Sequence, residues 1–192
     1  GVVATPTVGV MIGVTGAAGG VVMTASHNPT PWNGLKLLDH HGTAPSPELA
    51  GSIISTFTSE NDVAAASEPG SISSEQRGTD THVSKVLGWM DPMPLRDRGF
   101  KVVLDSVNGA GVDGGRTLLD AFGADVVHLG DQPDGNFWHT PEPTAENLKG
   151  LCEAVREQSA DIGCAQDPDA DRLALVDENG RYIGEEFTLV LA

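Results

Sequence analysis

Three carboxylates spaced by single residues, Asp167, Asp169 and Asp171, are followed at once by Arg172. On extended backbone, residues at i, i+2 and i+4 project to one side, so the three acids converge. Three bare carboxylates repel one another, and a hard divalent cation with oxygen ligands resolves the repulsion. The alternative is a solvated acidic turn. An EF-hand loop is excluded: Glu178 stands at its twelfth position, but Arg172 occupies the sixth, where the tight turn needs glycine. A second candidate is Gly109-Ala110-Gly111-Val112-Asp113-Gly114, a literal G-x-G-x-x-G with Asp125 or Asp131 roughly where a ribose-binding acid would sit. It would hold a dinucleotide such as NAD, or else mark a close backbone approach at a domain interface. A third is Thr24-Ala25-Ser26-His27-Asn28-Pro29, leading to Asn33-Gly34-Leu35-Lys36. Ser26 after an apolar strand could present its hydroxyl, with His27 as the neighbouring base. No G-x-S-x-G elbow surrounds it. Adjacent residues on extended backbone point oppositely, which leaves His27 badly placed to deprotonate Ser26. An Asn-Pro turn with a serine cap is the plain alternative.

The elements that must carry these groups alternate along the chain. Val2–Ala4 reads as a short strand, Val8–Thr15 as a glycine-punctuated helix and Gly20–Met23 as an apolar strand. Ser46-Pro47 is an N-cap and first-turn pair, with Leu49, Ile53, Ile54 and Phe57 at helical spacing behind it. Val83, Val86, Leu87 and Met90 form a second helical stripe, preceded by a Ser/Ala/Glu-rich stretch from Thr58 to Ser74. The run Met90–Gly99, with two prolines among its charges, reads as a linker. After it come strand 101–105, a helix around Leu118, Leu119 and Phe122 stopping at Gly123, and strand 125–129. Loop 132–144 leads to a helix with Leu148, Leu151, Cys152 and Val155 on one face. Strand 161–165, the acidic loop and strand 172–177 follow. This alternation predicts an α/β fold: two consecutive α/β domains with mixed, largely parallel sheets and helices on both faces.

Composition limits the partners. Among 192 residues, 11 Lys and Arg face 27 Asp and Glu, a formal charge of −16. Nucleic acid and anionic lipid need a basic face, so neither is expected as a partner. Anionic substrates need a cation between them and the carboxylates. The first charged side chain is Lys36, but six glycines, two prolines and five threonines fall within the first 30 residues. A spanning helix requires about 20 predominantly apolar residues, so no membrane segment is expected. The only cysteines, Cys152 and Cys164, form no disulfide framework, and the expected setting is a reduced, cytoplasmic one. The chain opens on a strand-like VVAT and stops inside an apolar run, which reads as a piece of something longer.

Taken together, GGVVMTASHNP, NGLK, VVLDSVNGAG, PDGNFWHTPEPTAENL and DPDADR resemble, in order and over most of the chain, the α-D-phosphohexomutase family. Its members include phosphoglucomutases, phosphomannomutases and phosphoglucosamine mutases. The resemblance implies that Ser26 is the phosphorylated serine, donor and acceptor of the phosphoryl group. It implies Asp167, Asp169 and Asp171 as Mg²⁺ ligands together with Ser26, and Lys36 as general acid/base if its site lowers its pKa. Arg172 is implied beside the site, with His27 and Asn28 bordering the phosphoserine. The implied reaction interconverts 1- and 6-phosphates of a hexose or hexosamine through a sugar bisphosphate, a 1,6-bisphosphate serving as activator. The implied domains are 1–94, lacking its N-terminal part, 95–183 with the metal loop, and 184–192 as the first strand of a third. Domains 3 and 4 would be the remaining partners, and the piece alone would be weak or inactive. Two rival functions stand against this: an NAD-binding dehydrogenase module on the Gly109 loop and a non-catalytic Ca²⁺-binding domain. Pro168 departs from the glycine many members carry, and FWHTPEPT differs from the FPNHHPDP type of loop.

Overall fold

A computed structural model of the chain describes residues 1–59 and 67–191, so part of the Thr58–Ser74 stretch lies outside the described residues. The first helix, α1, spans Thr5–Thr15 and ends where Gly16, at φ 66°, turns its N–H back to the Ile12 carbonyl. The predicted strand at Val2–Ala4 does not form. Pro6 in the first turn presets helical φ and has no N–H to lose, so α1 begins three residues earlier than its apolar pattern suggests.

Strands β1 (Gly20–Met23) and β2 (Leu35–Leu38) pair antiparallel, Gly20 opposite Leu38 and Met23 opposite Leu35. Loop 24–34 is thereby closed at its neck, where the Thr24 N–H donates to the Gly34 carbonyl at 3.0 Å. Helix α2 (Pro47–Thr58) starts as predicted, with Ser46 Oγ accepting the Leu49 N–H. The stripe of Leu49, Ile53, Ile54 and Phe57 forms the helix as its spacing predicts, but no residue of α2 is buried, and Phe57 is 81 % exposed. The helix satisfies its local rules, while among the described residues nothing covers its face. Helix α3 (Gly78–Leu87) lies between α1 and the later α5, with Val83 buried. Within the predicted linker, Met93–Arg96 forms a one-turn helix, α4, because Asp91 Oδ1 accepts the Met93 N–H at 3.0 Å.

The second half builds a five-stranded sheet from β3 (Lys101–Asp105), β4 (Asp125–Leu129), β5 (Ile162–Gln166), β6 (Leu173–Val176) and β7 (Tyr182–Gly184), in the order β4-β3-β5-β6-β7. Helix α5 (Val112–Ala121) follows β3 and α6 (Lys149–Gln158) follows β4. On one face of the sheet, α6 lays Leu151 and Val155 against Val103, Ala165 and Val176. On the other face, Leu104 reaches Gly115 of α5. The mixed sheet with helices on both faces is as predicted, but its parallel share is smaller. Among the described residues only β3 pairs parallel, with β4 and β5; β5–β6, β6–β7 and β1–β2 are antiparallel. The reason is loop length. A parallel return needs a crossover of about a dozen residues or more, whereas the acidic loop joining β5 to β6 has room only for a hairpin. The expected strand at 184–192 is also replaced: Glu185–Leu191 is a helix, α7. No helix among the described residues is long and apolar enough to cross a membrane.

Candidate active site

Ser26 sits in a turn just past β1, at φ 51°. Its N–H donates to Thr24 Oγ1 at 2.9 Å, and both the backbone and side-chain N–H groups of Asn28 donate to the Ala25 carbonyl. The serine Oγ donates to Asp167 Oδ2 at 3.1 Å across 141 positions of sequence. His27 Nδ1 lies 3.3 Å from the same Oγ. The expectation that His27 points away is therefore wrong: it assumed extended backbone, and the left-handed turn at Ser26 swings the two side chains together. Asn28 borders a cavity of about 360 Å³ that Ser26, Trp32, Asn108, Asp134 and Phe137 also line.

Asp167, Asp169 and Asp171 each offer a carboxylate oxygen within 4.8 Å of the others. They converge as predicted, but by another route. The loop is a turn, with Ala170 at φ 53° and its N–H on the Asp167 carbonyl. Asp167 Oδ1 accepts the N–H groups of Asp171 and Arg172, each at 3.1 Å. Asp167 is fully buried and Asp169 only 3 % exposed. Burial, and then the charge of Asp169, raise the pKa of Asp167. Burial also pushes Asp169 upward, but hydrogen bonds from Lys36 and Thr5 outweigh it and the net shift is downward.

Lys36, on β2, places Nζ at 2.7 Å from both Asp169 Oδ2 and Asp171 Oδ2. Burial opposes its charge, yet the two carboxylates win and its pKa is raised. This corrects the expectation of a lowered value: here the ammonium is the favoured form. Arg172 Nε lies 3.5 Å from Asp167 Oδ2 and its Nη1 3.5 Å from Glu185 Oε2. Two buried polar atoms of this cluster, Asp169 Oδ1 and Arg172 Nη2, have no partner among the described residues. A buried carboxylate oxygen without a partner costs free energy. An all-oxygen set with one open lone-pair position suits a hard cation such as Mg²⁺.

The glycines of the Gly109 loop hold this acidic loop in place. A Cβ on Gly109 would lie 2.5 Å from the Pro168 carbonyl oxygen, whose partner is the Ala110 N–H at 2.7 Å. A Cβ on Gly111 would strike Gln166 and Ala170. Backbone approach to the acidic loop accounts for these glycines, so the dinucleotide reading loses its footing.

Several site residues carried no signal strong enough to single them out. Thr5 donates from Oγ1 to Asp169 Oδ2 at 2.7 Å. Asp105, at the carboxyl end of β3, is buried and accepts from Val107 N–H, Trp138 Nε1 and His139 Nε2. Asn108 ties loop 131–136 down through Asn136 O, Gln132 N–H and Gly135 N–H. Only position, at the carboxyl end of a parallel strand where such sites form, could have pointed to Asp105.

Both ring nitrogens of His139 face acceptors, Asp105 Oδ2 at 2.9 Å and Thr140 O at 2.7 Å, which requires two N–H donors. Burial would lower its pKa, but the Asp105 bond outweighs it and the shift is upward from 6.5. A histidine whose pKa rises on folding contributes stability that is complete below the unfolded value and lost as pH climbs through the folded one. The wild-type chain should therefore lose about 1–3 kcal/mol from this pair as pH rises above neutrality. Chemical unfolding of wild type and His139→Gln across pH 5.5–9 measures it; parallel stability profiles would refute the assignment.

Residues 80–180 match the family described as phosphoglucomutase/phosphomannomutase, alpha/beta/alpha domain II, and residues 1–64 match alpha/beta/alpha domain I of the same family. A phosphoglucomutase/phosphomannomutase of Thermococcus kodakarensis is 40 % identical over 177 residues, 91 % of this chain and 39 % of that protein. A phosphoglucosamine mutase of Synechocystis is 35 % identical over 193 residues, 100 % of this chain and 40 % of that protein. The solved structure of a phosphoglucomutase/phosphomannomutase family protein from Burkholderia thailandensis overlays with a TM-score of 0.69 at 30 % identity, covering 85 % of this chain and 34 % of that one. The chain thus spans about two-fifths of the length of the curated relatives it matches. Two consecutive domain matches, in family order, carry both loops of the cluster, and the chain belongs to the phosphoglucomutase/phosphomannomutase family.

Proposed function

We propose that this chain supplies the phosphoserine and metal-binding parts of a phosphohexomutase, which interconverts hexose or hexosamine 1-phosphate and 6-phosphate. The observation that supports this best is the 3.1 Å hydrogen bond from Ser26 Oγ to Asp167 within the three-aspartate cluster. Asp167, Asp169, Asp171 and an oxygen of phosphorylated Ser26 would hold Mg²⁺. Bound there, the ion neutralises charge that would otherwise oppose phosphoryl transfer.

The chain's own groups do the rest. Ser26 stores the phosphoryl group, whose charge of about −1.5 to −2 needs compensation beside three carboxylates. A sugar hydroxyl forms the new P–O bond as the P–Oγ bond of Ser26 breaks, and Ser26 Oγ leaves able to take up a proton. Lys36 Nζ enters protonated, consistent with its raised pKa; it gives its proton to the departing Ser26 Oγ and takes up the proton that the attacking sugar hydroxyl loses. Arg172 Nη2, buried without a protein partner, is the donor available to a phosphate oxygen. His27 and Asn28 border the phosphoserine. The bisphosphate then returns its other phosphate to Ser26, and a sugar 1,6-bisphosphate primes the cycle.

We keep the division into 1–94, 95–183 and 184–192, with the substrate's remaining contacts on domains 3 and 4 of the longer protein. A cytoplasmic setting fits a sugar-phosphate substrate and two unpaired thiols, Cys152 and Cys164. Incubation of the full-length protein with glucose 1,6-bisphosphate and Mg²⁺, then mass spectrometry of the Ser26 peptide, tests the reading. Phosphate should appear on Ser26 and be prevented by a chelator. An unmodified Ser26 peptide would overturn it.

A further inference from the structure

Asp169 is gripped twice by one residue from the far end of the chain. The Thr5 N–H donates to the Asp169 carbonyl at 2.8 Å, and Thr5 Oγ1 donates to Asp169 Oδ2 at 2.7 Å. The Thr5 N–H is free to do so because the first N–H groups of a helix have no partner within it. Lys36 Nζ fills a second position on the same Oδ2. Oδ1 of this 3 %-exposed side chain is left buried with no partner. The carboxylate is thus held by one oxygen and left open at the other.

We infer that Thr5 is a positioning residue: its hydroxyl fixes the rotation of the Asp169 carboxylate so that Oδ1 is presented to the cation. The inference rests on the metal-binding reading above. It also makes the start of α1, in the first half of the chain, part of the metal site of the second half. Groups that hydrogen-bond a ligating carboxylate orient it, and removing one typically costs about 10–100-fold in metal affinity. A threonine that merely starts a helix would show no such effect.

The test is a titration of the full-length protein with Mn²⁺, followed by electron paramagnetic resonance, alongside melting curves in chelator. Thr5→Val keeps the shape of the side chain and removes the hydroxyl; its Mn²⁺ affinity should fall at least about tenfold. Thr5→Ser keeps the hydroxyl and should retain wild-type affinity. Thr5→Ala gives the same reading should the valine variant fail to fold. Wild-type affinity in a folded valine or alanine variant overturns the inference, as does a serine variant as weak as the valine one. Asp167→Asn separates the two ideas. If it abolishes Mn²⁺ binding while Thr5→Val leaves it intact, only the role of Thr5 falls. If Asp167→Asn binds Mn²⁺ like wild type, the metal reading falls and takes Thr5 with it.

Discussion

Ser26→Ala in the full-length protein is expected to lower mutase turnover by about 10⁴–10⁶-fold, the scale seen when a covalent nucleophile is removed. The substitution deletes one oxygen, and with it the bonds to Asp167 Oδ2 and His27 Nδ1. Little else should change. Asp167 keeps the Asp171 and Arg172 N–H groups on its other oxygen, and the turn is set by backbone bonds at Thr24, Ala25 and Asn28 rather than by the hydroxyl. Alanine at φ 51° is no more strained than serine. Melting temperature should therefore hold while kcat collapses. A folded variant retaining a hundredth of the wild-type kcat would show that the phosphoryl group is stored elsewhere.

Asp167→Asn should produce two effects of opposite sign. Asparagine preserves the shape and can keep the acceptor for the Asp171 and Arg172 N–H groups. It removes one of three negative charges whose oxygens lie within 4.8 Å of one another. Two like charges 4 Å apart at an effective dielectric of 20 repel by about 4 kcal/mol, and Lys36 and Arg172 already offset part of this. In chelator the variant should consequently melt higher than wild type. Added Mg²⁺ should reverse the order. Wild type gains about 2.7 kcal/mol at a hundredfold excess over the dissociation constant, whereas the variant gains nothing and loses turnover. A Mg²⁺-dependent rise in the melting temperature of Asp167→Asn equal to that of wild type would remove Asp167 from the metal site.

Much of the scaffold was legible because its signals are local. Ser46-Pro47 starts α2, Gly123 stops α5, and the apolar period of Leu148, Leu151 and Val155 buries the face of α6. Each of these depends on neighbours within a few residues, so the linear order of types carries it. The aspartates of the acidic loop were identifiable by spacing, yet the spacing argument assumed extended backbone, and a turn at Ala170 brings them together instead. His27 was misread for the same reason, since one left-handed residue reverses the side on which a neighbour falls.

The order of residue types alone thus settled the class of fold and the loops that carry the charged and hydroxyl groups. Three-dimensional packing decided the rest. It brought Ser26 to Asp167 and Lys36 to Asp169, aimed Thr5 at a carboxylate 164 positions away, and paired Asp105 with His139. It also left the apolar stripe of α2 uncovered among the described residues. Contacts between distant segments leave no periodicity behind them. They are fixed by how strands register and how glycines let backbones approach, and only the folded chain holds that information.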